Sequence, residues 1–324
     1  MNKGNLRIVF MGTPEFAVWS LRALVEGGYQ VVGVVTTPDK PVGRHGSVLQ
    51  PSAVKQYATS AGLPVLQPEK LKEECFLADL MDLKADIQIV VAFRMLPEVV
   101  WNMPRYGTFN LHASLLPQYR GAAPINWAII NGEKETGVTT FFIAHDIDTG
   151  KIILQRCIPV SETDDAGTVH DRLMEAGSAL VTETVDLILK NDGEVNAIPQ
   201  DTLILNEKDL LPAPKIYKET CRIDWRQSAE KVYNFVRGLS PYPAAWSDLK
   251  FSDNEVIQMK IFTAEKRFEE HCLTSGTVRT DGRKKLEVAV NDGFIGILSL
   301  QPAGKKRMNV KDFLNGYKLN AEIA

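Results

Sequence analysis

The chain has few cysteines, and none is placed to bind a metal or to build a disulfide framework. In 324 residues there are four, far apart and without a CxxC pair: Cys75, Cys157, Cys221 and Cys272. Zinc sites and small disulfide-rich domains both need closely spaced cysteines, so the sequence argues against both. We expect reduced thiols that are mostly buried.

Long apolar runs are also missing. A helix that spans a membrane needs about 20 consecutive apolar residues, and no run in this sequence approaches that length. The first residues, MNKGNLRIVFMGTPEF, lead directly from a short apolar run into a strand–turn–helix pattern, which is not the pattern of a signal peptide. We therefore expect a cytoplasmic location.

Two phosphate-binding motifs are absent as well. The turn after the first apolar run reads GTPEFA at 12–17, where a dinucleotide-binding turn would read GxGxxG. No GxxxxGK[ST] loop occurs anywhere in the chain. The sequence therefore predicts neither a nicotinamide cofactor nor ATP bound in the usual way.

Apolar runs alternate with amphipathic segments over the first 190 residues, and this pattern predicts a doubly wound, mostly parallel α/β sheet. A long amphipathic helix at Ala166–Leu189 closes this region. The expected strands are Leu6–Met11, Val31–Thr36, Pro64–Leu66, Ile87–Ala92, Thr108–His112, Val138–Ile143 and Lys151–Ile158. The expected shorter helices follow Pro14, Ser52 and Glu69.

The pattern breaks after residue 190 into glycine, proline, asparagine and aspartate, which indicates a linker. Short alternating segments then predict a small antiparallel β-barrel. We divide the chain into a domain at 1–190, a linker at 191–207 and a second domain at 208–324. Residues 1–207 hold 17 basic and 25 acidic residues (net −8), whereas 208–324 hold 20 and 15 (net +5), so the second domain is the one expected to meet an anion.

The strongest chemical signal is NLHASLLP, which begins at Asn110 at the end of a buried strand. Open α/β sheets bind their ligands at the carboxyl ends of strands. Asn110 and His112 are two residues apart, so on a strand their side chains share a face. An amide donor beside an imidazole suits a site where negative charge develops on oxygen. The alternative is a strand-end asparagine with a histidine satisfied by the backbone.

A second signal is HDIDTG, which places Asp146 and Asp148 in a turn. Asp-Thr-Gly is a common turn sequence, so the motif is weak when taken alone. The two carboxylates would suit a hard metal ion, but the sequence offers no further ligands at a usable spacing. We therefore predict no metal.

Together, NLHASLLPQYRGAAPI and DIDTG resemble the 10-formyltetrahydrofolate-dependent formyltransferase family. VFMGTPEFAV, TTPDKPVGRHGSVLQPSAVK and LSLQPAGKKRM extend the resemblance over both domains. It implies a Rossmann-like formyltransferase domain followed by an OB-like barrel. It also implies that 10-formyltetrahydrofolate donates a formyl group, as a substrate, to the α-amine of methionine on initiator tRNA.

The resemblance also implies roles for particular residues. Asn110, His112 and Asp148 would be catalytic: Asn110 and a protonated His112 would donate to the tetrahedral oxyanion, and Asp148 would orient His112. The folate would contact SLLP, which comprises Ser114, Leu115, Leu116 and Pro117. The tRNA would contact Lys40 and Arg44 in the loop Thr37–Gln50, which we expect to lack structure of its own, and Lys305, Lys306 and Arg307 at an exposed turn of the second domain.

One run departs from the family pattern. AFRMLP at 92–97 stands where the family commonly has a run such as AYGxILP, so it is one residue shorter and carries Arg94 in place of glycine. A glycine there could serve a backbone conformation that arginine would strain. The run therefore puts the local shape of the folate pocket in question.

Other functions remain open at this point. The acceptor could be a nucleotide-linked amino sugar or glycinamide ribonucleotide, or water could replace the amine and give a formyltetrahydrofolate hydrolase. A non-catalytic RNA-binding protein would leave the Asn110–His112 pair unexplained. The sequence does not determine the oligomeric state, and we take a monomer as the expectation.

Overall fold

The computed structural model of the chain describes residues 3–42, 48–250 and 256–317, and the backbone of 322–323. These residues form two compact units. The first comprises the described parts of Met1–Gly121, Gly137–Ile158 and His170–Pro212, and the second those of Ala122–Thr136, Pro159–Val169 and Ala213–Ala324. In the ranges described, no helix is both long enough and apolar enough to cross a membrane.

The strands up to residue 159 are β1 (Arg7–Gly12), β2 (Gln30–Val35), β3 (Lys40–Val42), β4 (Val48–Gln50), β5 (Val65–Leu66), β6 (Ile87–Val91), β7 (Thr108–His112), β8 (Glu135–Phe142) and β9 (Ile152–Pro159). Seven of them form a sheet in the order β5-β2-β1-β6-β7-β8-β9. The first five in this order pair in parallel, and β8 runs antiparallel to β7. The predicted doubly wound, mostly parallel sheet is confirmed.

The helices up to residue 190 are α1 (Glu15–Glu26), α2 (Ala53–Ser60), α3 (Glu74–Asp82), α4 (Glu98–Trp101), α5 (Pro124–Ile130) and α6 (Ala166–Lys190). Ser52 caps α2 as predicted, because its hydroxyl accepts the backbone N–H of Lys55 at 3.0 Å. The helix expected from Glu69 begins only at Glu74, and the short helices α4 and α5 were not predicted.

Strand β1 is buried on both faces, which explains its continuous apolar sequence. On one face, Val9 packs in a cluster with Phe76 and Leu80 of α3. Ile8 and Phe10 alternate to the other face and are also fully buried. A strand of this kind must lie inside the sheet, as β1 does between β2 and β6. Open α/β sheets bind their ligands at the carboxyl ends of such strands.

The loop Thr37–Gln50 was wrongly predicted to lack structure of its own. Strands β3 and β4 pair antiparallel within it, and Arg44 lies outside the described residues. The Asp39 carboxylate anchors the start of the β3–β4 hairpin, because it lies 2.6 Å from the Lys55 ammonium and accepts a hydrogen bond from the Gln67 amide at 2.8 Å. The hydrogen bond from Lys55, followed by that from Gln67, lowers the pKa of Asp39 below its usual value.

The thiols are more exposed than we expected. Only Cys221 is buried, and the prediction of mostly buried cysteines was wrong. The exposed cysteines are Cys75, Cys157 and Cys272.

The remaining elements are α7 (Ala229–Leu239), β10 (Ala245–Lys250), β11 (Val256–Phe268), β12 (Val278–Thr280), β13 (Leu286–Val290), β14 (Gly293–Pro302), β15 (Met308–Asn309), α8 (Val310–Gly316) and β16 (Glu322–Ile323). The strands form an antiparallel sheet in the order β12-β13-β14-β11-β10-β16, with β15 beside β14. This half-barrel is the antiparallel second domain that the sequence predicts. Its core includes Val232 and Val236 of α7 together with Ile261 and Ile295 of the sheet.

A buried carboxylate lies in this sheet. The side chain of Glu287 on β13 is only 3% exposed, and it accepts hydrogen bonds from Arg267 at 3.1 Å and Arg279 at 2.9 Å. Lys285 lies 2.9 Å away. Burial by itself would raise the pKa of Glu287, but the hydrogen bonds from Lys285 and Arg279 and the charge of Arg267 outweigh it and lower the pKa.

Candidate active site

Strand β7 positions Asn110 and His112 on one face of the first sheet. In the antiparallel pairing with β8, Asn110 lies opposite Phe141 and His112 opposite Thr139. Leu111 points to the other face, where a Cβ added at Gly177 of α6 would lie 2.8 Å from its side chain. The Asn110–His112 face is therefore the one that α6 leaves uncovered.

The two side chains differ in how they are satisfied. Asn110 is partly exposed, and no described residue hydrogen-bonds to its amide. His112 is only 6% exposed. Its Nε2 lies 2.8 Å from the carbonyl oxygen of Tyr119, which can only accept, so this nitrogen carries the proton of the neutral ring. Nδ1 faces the Asp148 Oδ2 atom at 3.7 Å.

Asp148 is held in a tight turn. Its side chain is 13% exposed, and its Oδ2 accepts the backbone N–H of Gly121 at 2.9 Å. Its φ of +55° lies in the left-handed region, which asparagine and aspartate tolerate better than most residues. A Cβ at Gly150 would lie 1.6 Å from the carbonyl oxygen of Phe142, so only glycine can close the turn there.

The structure thus brings His112 and Asp148 together across 36 residues of sequence and leaves the Asn110 amide open beside them. The His112 and Phe141 rings are nearly perpendicular, with their centroids 6.5 Å apart. An open amide donor next to an imidazole–carboxylate pair can stabilise an oxyanion and move a proton. The catalytic roles of the three residues remain predictions.

The SLLP segment is tied down from within. The Ser114 hydroxyl donates to the Gln118 carbonyl at 2.7 Å, and the Ser114 carbonyl accepts from the Thr139 hydroxyl at 2.6 Å. Leu116 is buried, whereas Leu115 and Pro117 are partly exposed. Of the four residues predicted to contact the folate, Leu115 and Pro117 are therefore the two whose side chains a ligand can reach.

Arginine at position 94, where the family pattern has glycine, does not strain the backbone as expected. Arg94 itself has no positive φ, and the strained position is Ala92, with a φ of +47°. The Arg94 guanidinium donates to the carbonyls of Pro68 and Glu69 and is partly buried, which lowers its pKa. The expected strain at Arg94 is thus absent, and the side chain instead tethers a neighbouring loop.

The residues predicted to contact tRNA are exposed where the structure describes them. Lys40 lies on β3. Lys305 and Lys306 extend from a turn at Gly304, whose φ is +73°. Arg307 is less free, since it donates to the Ser299 hydroxyl at 2.9 Å and its guanidinium lies 4.4 Å from the centre of the Phe262 ring.

The sequence patterns did not identify the residues that connect the Asp148 turn to the loop at Arg120. Gln200 lies in the predicted linker, yet its amide bonds the backbone on both sides of Thr149. The Arg120 guanidinium in turn donates to the Gln200 oxygen. Arg120 is part of the quoted motif, whereas nothing local to Gln200 could have identified it. Within the described ranges, no group of three histidine, cysteine or acidic side chains is arranged to hold a metal.

Both parts of the chain are similar to known formyl transferases. Residues 6–185 match the formyl transferase family, and residues 215–318 match the formyl transferase C-terminal domain family. A methionyl-tRNA formyltransferase from Parabacteroides distasonis is 67% identical over 322 residues, which is 99% of both chains. One from Bacteroides thetaiotaomicron is 62% identical over 99% of this chain and 98% of its own.

Solved structures with lower identity share the fold. The sugar 3N-formyl transferase WlaRD superposes with a TM-score of 0.63 at 19% identity, over 93% of this chain and 99% of that one. HypX from Aquifex aeolicus, in complex with tetrahydrofolic acid, has a TM-score of 0.62 at 19% identity, over 98% of this chain and 50% of that one.

Proposed function

This chain belongs to the formyl transferase family, and we propose that it transfers the formyl group of 10-formyltetrahydrofolate to the α-amine of methionine on initiator tRNA. The observation that carries the chemistry is the open Asn110 amide beside the His112–Asp148 pair at the end of β7. The acceptor follows from the relatives, whose name states it and whose sequences match almost the whole chain.

The reaction exchanges one carbon–nitrogen bond for another. The amine nitrogen attacks the formyl carbon and produces a tetrahedral oxyanion, and the bond from that carbon to N10 of the folate then breaks. One proton must leave the attacking amine and one must reach N10. The formyl group is supplied by the folate, so the protein contributes orientation and electrostatics.

The geometry divides these tasks between the three residues. We assign the hydrogen bond to the oxyanion to the Asn110 amide, because no described residue hydrogen-bonds to this amide. The Nε2–H of His112 is occupied by Tyr119, so the ring acts through Nδ1 and the facing Asp148 carboxylate. This pair accepts the proton of the amine and returns it to N10. An oxyanion donor of this kind is worth about 10²–10³ in rate.

The finer assignments belong to the same proposal. The folate contacts the segment formed by Ser114, Leu115, Leu116 and Pro117, and the side chains that it reaches are those of Leu115 and Pro117. The tRNA contacts Lys40, Arg44, Lys305, Lys306 and Arg307. We keep the division into a catalytic domain at 1–190, a linker at 191–207 and a tRNA-binding domain at 208–324. The protein acts in the cytoplasm, where its tRNA substrate is used, and as a monomer.

The test offers the purified protein 10-formyltetrahydrofolate with each acceptor in turn. Methionyl initiator tRNA should be formylated, whereas an amino-sugar nucleotide and glycinamide ribonucleotide should not. Without an acceptor, the protein should release formate only slowly. A formyltetrahydrofolate hydrolase would instead release formate at its full catalytic rate. Turnover should survive exhaustive chelation and dialysis.

The site is tested by Asn110→Ala and His112→Ala. Each should lower kcat by about two orders of magnitude, the size expected for a lost oxyanion donor or proton carrier. The folate affinity and the melting temperature should stay close to those of the wild type. Near-normal turnover of either variant would contradict the assignment.

A further inference from the structure

The side chain of Gln200 is buried within a segment that is otherwise open to solvent. Gln200 begins a 3-10 helix, Gln200–Leu203, in the region predicted as a linker. It is 2% exposed, whereas Asp201, Thr202 and Leu203 are all exposed. A polar side chain is buried in this way only when its hydrogen bonds are made inside the protein.

Gln200 uses both ends of its amide. The nitrogen Nε2 donates to the carbonyl of Asp148 at 2.8 Å and to that of Gly150 at 2.7 Å. The oxygen Oε1 accepts from Arg120 Nε at 3.0 Å and from Nη2 at 2.6 Å. Arginine can only donate, so its position determines which end of the amide faces the turn.

These contacts close a ring around the Asp148 turn. Arg120 precedes Gly121, whose N–H binds the Asp148 carboxylate at 2.9 Å. The backbone of Asp148 is left-handed and persists only if the surrounding structure holds it there. Gln200 binds the carbonyl of that same residue, and the ring thus restrains Asp148 through both its backbone and its carboxylate.

We infer that Gln200 is a positioning residue for the formyl transfer: it holds the Asp148 carboxylate towards His112 Nδ1, and Arg120 orients the Gln200 amide. This inference rests on the proposed function. Gln200 does not touch the reacting atoms, so its loss should lower the rate of the chemical step and leave substrate binding intact. A displacement of about 1 Å at a catalytic group can cost 100-fold in rate.

Two variants separate the two ends of the amide. Gln200→Glu has nearly the same shape and still accepts from Arg120, but its carboxylate cannot donate to the two carbonyls. Gln200→Leu removes both kinds of contact. Each should lower the single-turnover rate by about 10- to 100-fold, with KM for both substrates within twofold of the wild type.

Thr202→Ala is the matched control. Thr202 lies in the same 3-10 helix, where its hydroxyl donates to the Pro199 carbonyl at 2.7 Å. This variant should keep the wild-type rate. Arg120→Lys should lose less activity than Arg120→Met, because lysine keeps one donor for the Gln200 oxygen.

Wild-type rates in Gln200→Glu would overturn the inference, and so would a loss explained entirely by a smaller folded fraction in thermal unfolding. Amide hydrogen exchange provides a readout that needs no acceptor. The Gly121 N–H should exchange about tenfold faster in both Gln200 variants once the turn loosens, and unchanged exchange would also refute the inference. If the wild type formylates no tRNA, the proposed function fails. The exchange measurement still tests whether Gln200 restrains the Asp148 turn.

Discussion

Replacing Asp148 by asparagine isolates the charge of the carboxylate from its structural role. Asparagine keeps an oxygen that can accept the Gly121 N–H, and it tolerates the φ of +55° that this position requires. The turn should therefore keep its shape. What the variant loses is the negative charge that lies 3.7 Å from Nδ1 of His112.

The size of the effect follows from that distance. Two unit charges 3.7 Å apart interact by roughly 4 kcal/mol at an effective dielectric constant of about 20. The side chains are only 6% and 13% exposed, so water screens the pair little. If His112 is positively charged when the proton moves, the lost attraction corresponds to roughly three orders of magnitude in rate.

The assay is single-turnover formylation of methionyl initiator tRNA at saturating enzyme and folate. Asp148→Asn should lower the rate constant by about 10³ while KM for both substrates and the melting temperature change little. Asp146→Asn, two residues earlier, is the control: the Asp146 side chain is exposed, so this variant should retain the wild-type rate. A rate for Asp148→Asn within fivefold of the wild type would refute a role for this charge.

Three further predictions concern the turn, the buried carboxylate and the basic turn of the second domain. Gly150→Ala should abolish formylation in protein that still melts cooperatively, because its Cβ would lie 1.6 Å from the Phe142 carbonyl oxygen; wild-type activity would contradict this. Glu287→Gln should lower the free energy of unfolding in urea by about 2 kcal/mol at pH 7, the size expected for lost hydrogen bonds between charged groups. Because folding lowers the Glu287 pKa, this difference should be present above the unfolded value and shrink below about pH 4; a pH-independent difference would count against it. Replacing Lys305 and Lys306 by glutamine should weaken tRNA binding and leave the folate affinity unchanged. The slope of the logarithm of tRNA affinity against the logarithm of salt concentration should become shallower by up to about 0.9 per lost phosphate contact, the value for duplex DNA. Equal slopes for the variant and the wild type would assign the Lys305–Lys306 turn no role.

Local periodicity carried most of what could be predicted about the site. The continuous apolar sequence of β1 is possible only for a strand that is buried on both faces, and the structure places β1 inside the sheet. Strand β7 has the bounds that its sequence predicts, Thr108–His112. Side chains alternate along a strand, so the shared face of Asn110 and His112 followed from their spacing alone.

Contacts between distant residues could not be predicted in this way. The bonds of Gln200 reach Asp148 over 52 residues and Arg120 over 80. Each depends on where the chain returns after α6, and no local pattern encodes that. The segment was predicted as a linker from its content of glycine, proline and asparagine. This composition reports the backbone preferences of the segment and not the contacts of its side chains.

The local conformation around Arg94 shows the same division. The sequence marks 92–97 as unusual, and the glycine of the related pattern suggested strain at Arg94. The structure relieves Arg94 and strains Ala92, since the chain turns directly after β6 and the guanidinium is drawn to the carbonyls of Pro68 and Glu69. Residue types and spacings thus determined which groups are available at the strand ends, and tertiary packing decided their partners, because hydrogen bonds form between groups that are close in space whatever their separation in the chain.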